Sequence, residues 1–143
     1  MSQFLDALLR LWVEPPDQRA DAEADFRSMY AEPVLVNGAP LLVADLVARA
    51  HALHQSLTGL QIEIVHHIEV PGQVAVAFIL RGRHDRPWRT PLGDVPATGQ
   101  TVELRVMDVL TVVDGKVADV WVISDDLAVL RELRAVALIR PSA

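Results

Sequence analysis

The sequence predicts an α+β protein in which a helical front half precedes a hairpin-rich antiparallel sheet that encloses an apolar pocket. Apolar residues recur at helical spacing as far as Leu57, and after Gly59 they recur at every second position. The second half also contains two turn signals, Pro71-Gly72 and Asp114-Gly115. Helices followed by strands joined through short turns are typical of the α+β class.

The length and composition restrict the classes of protein that the chain can represent. It has 143 residues, which fits one domain over residues 1–143. Its net charge of −6 disfavours a nucleic-acid partner, because phosphates require a basic face. The absence of cysteine excludes a thiolate zinc site and a cysteine nucleophile. We find no basic leader and no long apolar run, so we expect a cytoplasmic protein without a membrane partner.

The front half predicts three helices and one short strand. We predict a helix capped by Ser2 and ended by Pro15, a helix from about Asp17 to Tyr30, and a helix with Pro40 in its first turn that ends before Gly59. The short strand is Val34-Leu35-Val36, and the turn signal Asn37-Gly38 follows it.

The back half predicts four strands and a final helix. The strands cover about residues 61–70, 74–80, 101–113 and 117–124, and the helix covers residues 125–137. The strand at 74–80 is apolar on both faces, which predicts a central position with cover on both sides. Residues 85–99 form a long loop, and loops of that length are often functional.

The Asp114-Gly115 turn predicts which side chains share a face. A two-residue loop would place Asp108 opposite Trp121, on a mostly apolar face that also carries Asp119 and Asp125. A carboxylate on such a face pairs with a cation, takes up a proton or lines a cavity. Desolvation raises its pKa toward neutrality, as a general acid or base requires. A β-bulge in either strand would change this assignment.

Several short motifs in a fixed order resemble one known family. These motifs are Tyr30-Ala31-Glu32-Pro33, Val36-Asn37-Gly38, Arg81-Gly82-Arg83-His84, Pro96-Ala97-Thr98-Gly99, Asp114-Gly115-Lys116-Val117 and Trp121-Val122-Ile123-Ser124-Asp125. In these motifs the chain resembles the SnoaL-like polyketide cyclases, which belong to the nuclear transport factor 2-like superfamily.

The resemblance implies a cone-like barrel, formed by a curved antiparallel sheet that the N-terminal helices plug. It also implies acid/base chemistry without a cofactor, such as an intramolecular aldol ring closure or a related isomerisation or dehydration. The Trp-x-x-x-Asp pattern assigns the general acid/base role to Asp125, and Asn37 and His84 match the assisting pocket residues.

We therefore predict an enzyme that acts on a small hydrophobic cyclic molecule. The candidate catalytic residues are Asp125, Asp108 and His84, and the candidate substrate-binding residues are Asn37, Tyr30, His66, Trp88 and Trp121. No spacing of histidines and carboxylates indicates a metal site.

Several candidates also have a structural explanation. Asp125 can cap the last helix, Asp108 can pair with a cation, His66 can be a satisfied core residue, His84 can lie at a solvated strand tip, and Trp88 can cover the core rather than the pocket.

The alternative function is a small-ligand-binding or dimerisation domain without catalytic activity. On this interpretation the exposed sheet face forms a homodimer, and the residues predicted on that face are Val109, Val113, Val120 and Val122.

Overall fold

The computed structural model of the protein describes residues 2–142, except for the side chain of Ser2, so the predicted Ser2 cap lies outside what is described. The helices are α1 (Ser2–Val13), α2 (Ala22–Met29), α3 (Val43–Ser56) and α4 (Asp126–Glu132), with a short 3-10 turn at Pro16–Gln18. The strands are β1 (Tyr30–Val36), β2 (Ala39–Leu41), β3 (Thr58–Val70), β4 (Gln73–Arg83), β5 (Trp88–Thr90), β6 (Gly93–Val95), β7 (Thr101–Val113) and β8 (Lys116–Ser124).

Six of the strands form one open sheet in the order β2-β1-β8-β7-β4-β3, and β5 and β6 form a separate hairpin. All neighbours in the large sheet are antiparallel except β1 and β8, which run parallel. The α+β prediction is confirmed. The strand predicted at 74–80 belongs to β4, which lies inside the sheet between β7 and the edge strand β3. However, its side chains alternate between buried and half-buried, so the predicted cover on both faces is wrong.

The second and third helices begin later in the chain than the sequence predicts. Asp21 caps α2, because its Oδ1 accepts a hydrogen bond from Ala24 N at 3.0 Å, and the chain before it forms only the 3-10 turn. Pro40 lies in the edge strand β2 opposite Leu35, where its missing N–H costs no ladder hydrogen bond. The third helix begins at Val43 instead.

Two further predictions in the back half need correction. The loop predicted over residues 85–99 contains the β5–β6 hairpin, and its end is tied to the main chain of His84, whose carbonyl accepts hydrogen bonds from Thr98 N and Gly99 N. The last helix ends at Glu132 rather than Ala137, because Arg134 adopts a left-handed φ of 58° just after it.

The hairpin between β7 and β8 contains a β-bulge that changes the predicted faces. Asp114 and Gly115 both have positive φ angles, so the predicted tight turn is confirmed. Val112 faces Val117 as expected, but Thr111 faces Asp119, which leaves Ala118 as an extra residue. From there to the end of β8 the pairing is shifted by one residue.

This shift reverses the side chains of β8 relative to the prediction. Asp108 lies opposite Val122 and not opposite Trp121, so the predicted register is wrong. Val120 and Val122 point to the concave side, where they line a cavity, instead of lying on the exposed face. Trp121 points outward and is exposed.

Candidate functional site

A cavity of about 230 Å³ lies between α1, α3 and the concave face of the sheet. The helices supply one wall, and β1, β3, β4, β7 and β8 supply the other. Twelve of the sixteen described residues that line the cavity have apolar side chains: Leu8, Leu9, Val36, Leu46, Leu53, Ile62, Phe78, Leu80, Val106, Leu110, Val120 and Val122. Such a lining, with a few polar groups that converge on it, is typical of a site for a small organic molecule.

Asp108 is the only carboxylate among the described lining residues. Strand β7 carries it on the concave face between Val106 and Leu110, both of which are buried. Its Oδ1 atom is shielded from solvent and has no hydrogen-bond partner in the described part of the chain. Desolvation by burial raises the pKa of Asp108 from 3.8 to about 6.

Tyr30 brings a buried hydroxyl group to the same cavity. The hydroxyl oxygen accepts a hydrogen bond from Nε1 of Trp12 at 2.9 Å. Burial raises the pKa of Tyr30 well above its usual value, and the nearby charge of Asp108 raises it further, so the phenol keeps its proton. The Tyr30 hydroxyl can therefore donate that proton in a hydrogen bond to a bound molecule.

The position of Trp12 is fixed by its neighbours. The Trp12 ring packs edge-on against Phe26 with centroids 5.4 Å apart, and Phe26 in turn stacks on Tyr30. The main-chain carbonyl of Trp12 accepts a hydrogen bond from Nε2 of His54 at 2.8 Å. These contacts hold the Trp12–Tyr30 pair in one geometry, because both rings are packed as well as hydrogen-bonded.

Arg49 supplies the only cation among the described residues that line the cavity. It is exposed, so its side chain lies where the cavity meets solvent. None of the ion pairs found among residues 2–142 involves Arg49.

The structure places Asp125 outside this cavity. Its Oδ1 accepts a hydrogen bond from Ala128 N at 3.2 Å, which caps α4, and its Oδ2 accepts one from Nη2 of Arg105 at 2.8 Å. The side chain is 43% exposed. Asp125 therefore caps the last helix, which was the structural alternative to a catalytic role in the sequence.

His84 and Trp88 also lie outside the described lining of the cavity. His84 is fully buried, so the solvated-tip interpretation is wrong. Its Nδ1 is 2.9 Å from Oγ1 of Thr98, and its ring packs edge-on against Trp88 with centroids 6.2 Å apart. The Trp88 side chain packs against the hydrophobic core. This pair anchors the segment between β4 and β7.

The remaining candidates serve the sheet or face solvent. Asn37 joins β1 to β8, since its side chain donates to Val122 O at 3.1 Å and accepts from Val122 N at 2.8 Å. His66 is exposed, because a bulge at Val65 shifts the pairing of β3 with β4 by one residue. The exposed Trp121 packs beside Gly38 on the outer face.

Of the eight candidate residues, the structure brings only Asp108 and Tyr30 to the cavity. Trp12 and Arg49 also line the cavity, although neither was among the candidates. A signal for Arg49 was available, because it lies three residues after Leu46 and four before Leu53, on the apolar stripe of α3. A cation on an apolar helix stripe indicates either a buried ion pair or the mouth of a pocket.

Solved structures with the same fold were found at low sequence identity. TsrD from Streptomyces laurentii superposes with a TM-score of 0.76 at 18% identity, over 94% of this chain and 95% of that one. A SnoaL-like polyketide cyclase from Agrobacterium tumefaciens gives a TM-score of 0.71 at 17% identity, over 91% of this chain and 97% of that one. Wild-type IdmH from Streptomyces antibioticus gives a TM-score of 0.73 at 18% identity, over 93% of this chain and 97% of that one. At these identities the likeness establishes the fold.

The sequence itself also matches a family model. No protein with a curated description matches the chain. The model of the SnoaL-like polyketide cyclases matches residues 7–133, which include every lining residue of the cavity. This match agrees with the motifs in the sequence and with the cone-like α+β fold of the structural neighbours. The chain therefore belongs to the SnoaL-like polyketide cyclase family.

Proposed function

We propose that the chain catalyses acid/base chemistry at carbon, without a cofactor, on a small hydrophobic cyclic substrate held in the cavity. An aldol ring closure, or a related isomerisation or dehydration, fits this description. The observation that carries the proposal is the single carboxylate of Asp108, which lies in an apolar cavity with one oxygen atom unpartnered. A structural carboxylate in that position would be expected to have a partner.

The raised pKa of Asp108 suits a group that must both take and return a proton. With a pKa of about 6, the carboxylate is mostly ionised at neutral pH and can act as a base. Its conjugate acid is then weak enough to form and strong enough to give the proton back. General acid/base catalysis by a positioned group contributes about 10²–10⁴-fold to a rate.

The Tyr30 hydroxyl is placed to assist the same reaction. In the proposed aldol step, Asp108 removes a proton from a carbon next to a carbonyl, and the resulting enolate oxygen accepts a hydrogen bond from Tyr30. The enolate carbon then forms a bond to a second carbonyl carbon of the same molecule. The new alkoxide takes the proton back from the Asp108 carboxylic acid, so the reaction needs no other reactant.

We assign the acid/base role to Asp108 rather than to Asp125. The Asp125 carboxylate already accepts hydrogen bonds from Ala128 N and Arg105, and it faces solvent outside the described cavity lining. A group held in this way has no access to a molecule bound between the helices and the sheet. Asp125 therefore serves as the matched control for Asp108.

Proton exchange in a simple cyclic ketone tests this assignment without knowledge of the natural substrate. We expect the wild-type protein to catalyse exchange of the α-hydrogens of 2-indanone in D₂O, followed by NMR. Asp108→Asn should lower the rate at least 100-fold, since it removes the base, whereas Asp125→Asn should stay within about threefold. Circular dichroism would verify that both variants are folded.

The non-catalytic alternative predicts a different result. A binding domain of the same fold would bind 2-indanone without accelerating exchange, and Asp108→Asn would then have no rate to lower. Equal exchange rates for Asp108→Asn and the wild type would also contradict the proposed role of Asp108.

A further inference from the structure

The cavity has a positively charged residue, Arg49, at one end and a carboxylate, Asp108, at the other. Arg49 lines the cavity and is exposed, so it lies at the mouth, whereas the half-buried Asp108 lies inside. The two groups form no ion pair. Burial alone accounts for the raised pKa of Asp108, and no nearby cation lowers it. The charge of Arg49 is therefore available to a bound molecule.

The helix around Arg49 also leaves this charge unneutralised. The carboxylate one turn earlier on α3 belongs to Asp45, at the spacing that commonly forms helical ion pairs. Its Oδ2 instead accepts a hydrogen bond from Leu42 N at 2.9 Å, which caps the helix. Arg27 and Arg105 are exposed and paired with carboxylates, whereas Arg131 is exposed and, like Arg49, has no ion pair among residues 2–142. Arg49 differs from Arg131 because it lines the cavity.

We propose that Arg49 selects substrates that carry a carboxylate, and holds that group at the cavity mouth while the apolar part of the molecule lies inside. A planar guanidinium matches a carboxylate with two parallel hydrogen bonds, which a neutral ester or amide cannot reproduce. The inference rests on the proposed function, because the carboxylate would position the reacting carbon toward Asp108 and Tyr30.

The volume of the cavity limits the apolar part of this molecule. An apolar protein cavity of about 150 Å³ binds benzene, so a cavity of about 230 Å³ has room for roughly nine or ten non-hydrogen atoms. This corresponds to one substituted ring or two fused rings. The substrate class is therefore a cyclic carboxylic acid with an acidic C–H bond, whose apolar part inside the cavity is one ring or two fused rings.

A comparison of two probes of equal size tests the inference by binding alone. Phenylacetate and phenylacetamide have the same number of non-hydrogen atoms but differ in charge. By isothermal titration calorimetry, we expect wild-type protein to bind phenylacetate about tenfold more tightly than phenylacetamide. Arg49→Met keeps an unbranched apolar stem but removes the guanidinium. This variant should therefore bind the two probes with equal affinity.

The control variant is Arg131→Met. Arg131 is exposed on α4, lies outside the described cavity lining and is absent from the ion pairs found among residues 2–142. Arg131→Met should keep the wild-type preference for phenylacetate. Equal binding of the two probes by wild-type protein, no saturable binding of phenylacetate at 10 mM, or an unchanged preference in Arg49→Met would each overturn the inference.

The same measurements separate this inference from the proposed function. Asp108→Asn should keep the preference for phenylacetate, because Arg49 is intact, while it loses exchange of 2-indanone. If the preference is found but the wild type has no exchange activity, the carboxylate site stands and the proposed chemistry fails. If exchange depends on Asp108 but the preference is absent, the chemistry stands and the role of Arg49 fails.

Discussion

At the scale of single residues, Asp108 should affect stability and catalysis in opposite directions. Its unpartnered oxygen is shielded from water, so the ionised form is poorly solvated in the folded protein. Residues that maintain an active site commonly cost stability in this way. The conflict is smaller for Tyr30 and Trp12, because the Tyr30 oxygen accepts a hydrogen bond from Nε1 of Trp12.

The pH dependence of stability tests the environment of Asp108. Folding raises its pKa from 3.8 to about 6, so the folded state binds the proton more tightly. The resulting stabilisation is complete below pH 3.8 and is lost as the pH rises through about 6. Asp108→Asn should therefore raise the free energy of unfolding by about 1–3 kcal/mol at pH 7.5, with little effect near pH 3.5. Urea denaturation at the two pH values measures this, and an equal effect at both would contradict the burial of the charge.

At the scale of secondary-structure elements, the sheet depends on Asn37, which joins β1 to β8 where the two strands run parallel. Asn37 has a left-handed φ of 51°, and its side-chain amide pairs with both main-chain groups of Val122. Asparagine tolerates this backbone conformation better than most residues. One residue thus supplies both the turn and the link between the strands.

Two substitutions separate the two roles of Asn37. Asn37→Gly tolerates the left-handed backbone but removes the side-chain hydrogen bonds, so it should lower the free energy of unfolding by about 1 kcal/mol. Asn37→Ala adds the backbone strain, and should lower it by about 2–3 kcal/mol. Thermal or urea denaturation gives the order of the variants. If Ala were tolerated as well as Gly, strain at this position would contribute nothing.

Some features of these elements were predictable from the sequence and others were not. Periodicity and turn residues predicted the long strands, and the limits of β7 and its Asp114-Gly115 turn are those predicted. The bulge at Ala118 was not predictable, because a bulge depends on how two strands twist together and leaves no local sequence signal at that residue. That one residue determined the face of Trp121 and Val122. Tyr30 and Asp108 were nevertheless among the candidates. The sequence carried a signal for Arg49 on the apolar stripe of α3, but that signal does not distinguish a buried ion pair from a cavity mouth, which depends on the packing of α3 over the sheet.

At the scale of the whole molecule, the helices cover the concave face of the sheet and leave an apolar patch on the other face. We define the outer patch as Met107, Val109, Trp121 and Ile123, which are 67%, 46%, 54% and 76% exposed. The four residues lie on β7 and β8, in two directly opposed pairs. Contiguous apolar patches of this kind often mark a protein–protein contact.

We propose that the outer patch forms a homodimer. This keeps the predicted sheet-face contact and its residue Val109, but Met107, Trp121 and Ile123 take the place of Val113, Val120 and Val122. Light scattering coupled to size-exclusion chromatography should give twice the monomer mass of 15.7 kDa at micromolar concentration. Ile123→Glu should give the monomer mass, because it places a charge in the contact. Asp126→Ala on α4 serves as the exposed control and should remain dimeric. The cavity lies on the opposite face, so monomeric Ile123→Glu should retain exchange activity on 2-indanone. A monomeric wild type would contradict the proposed dimer without affecting the assignment of Asp108.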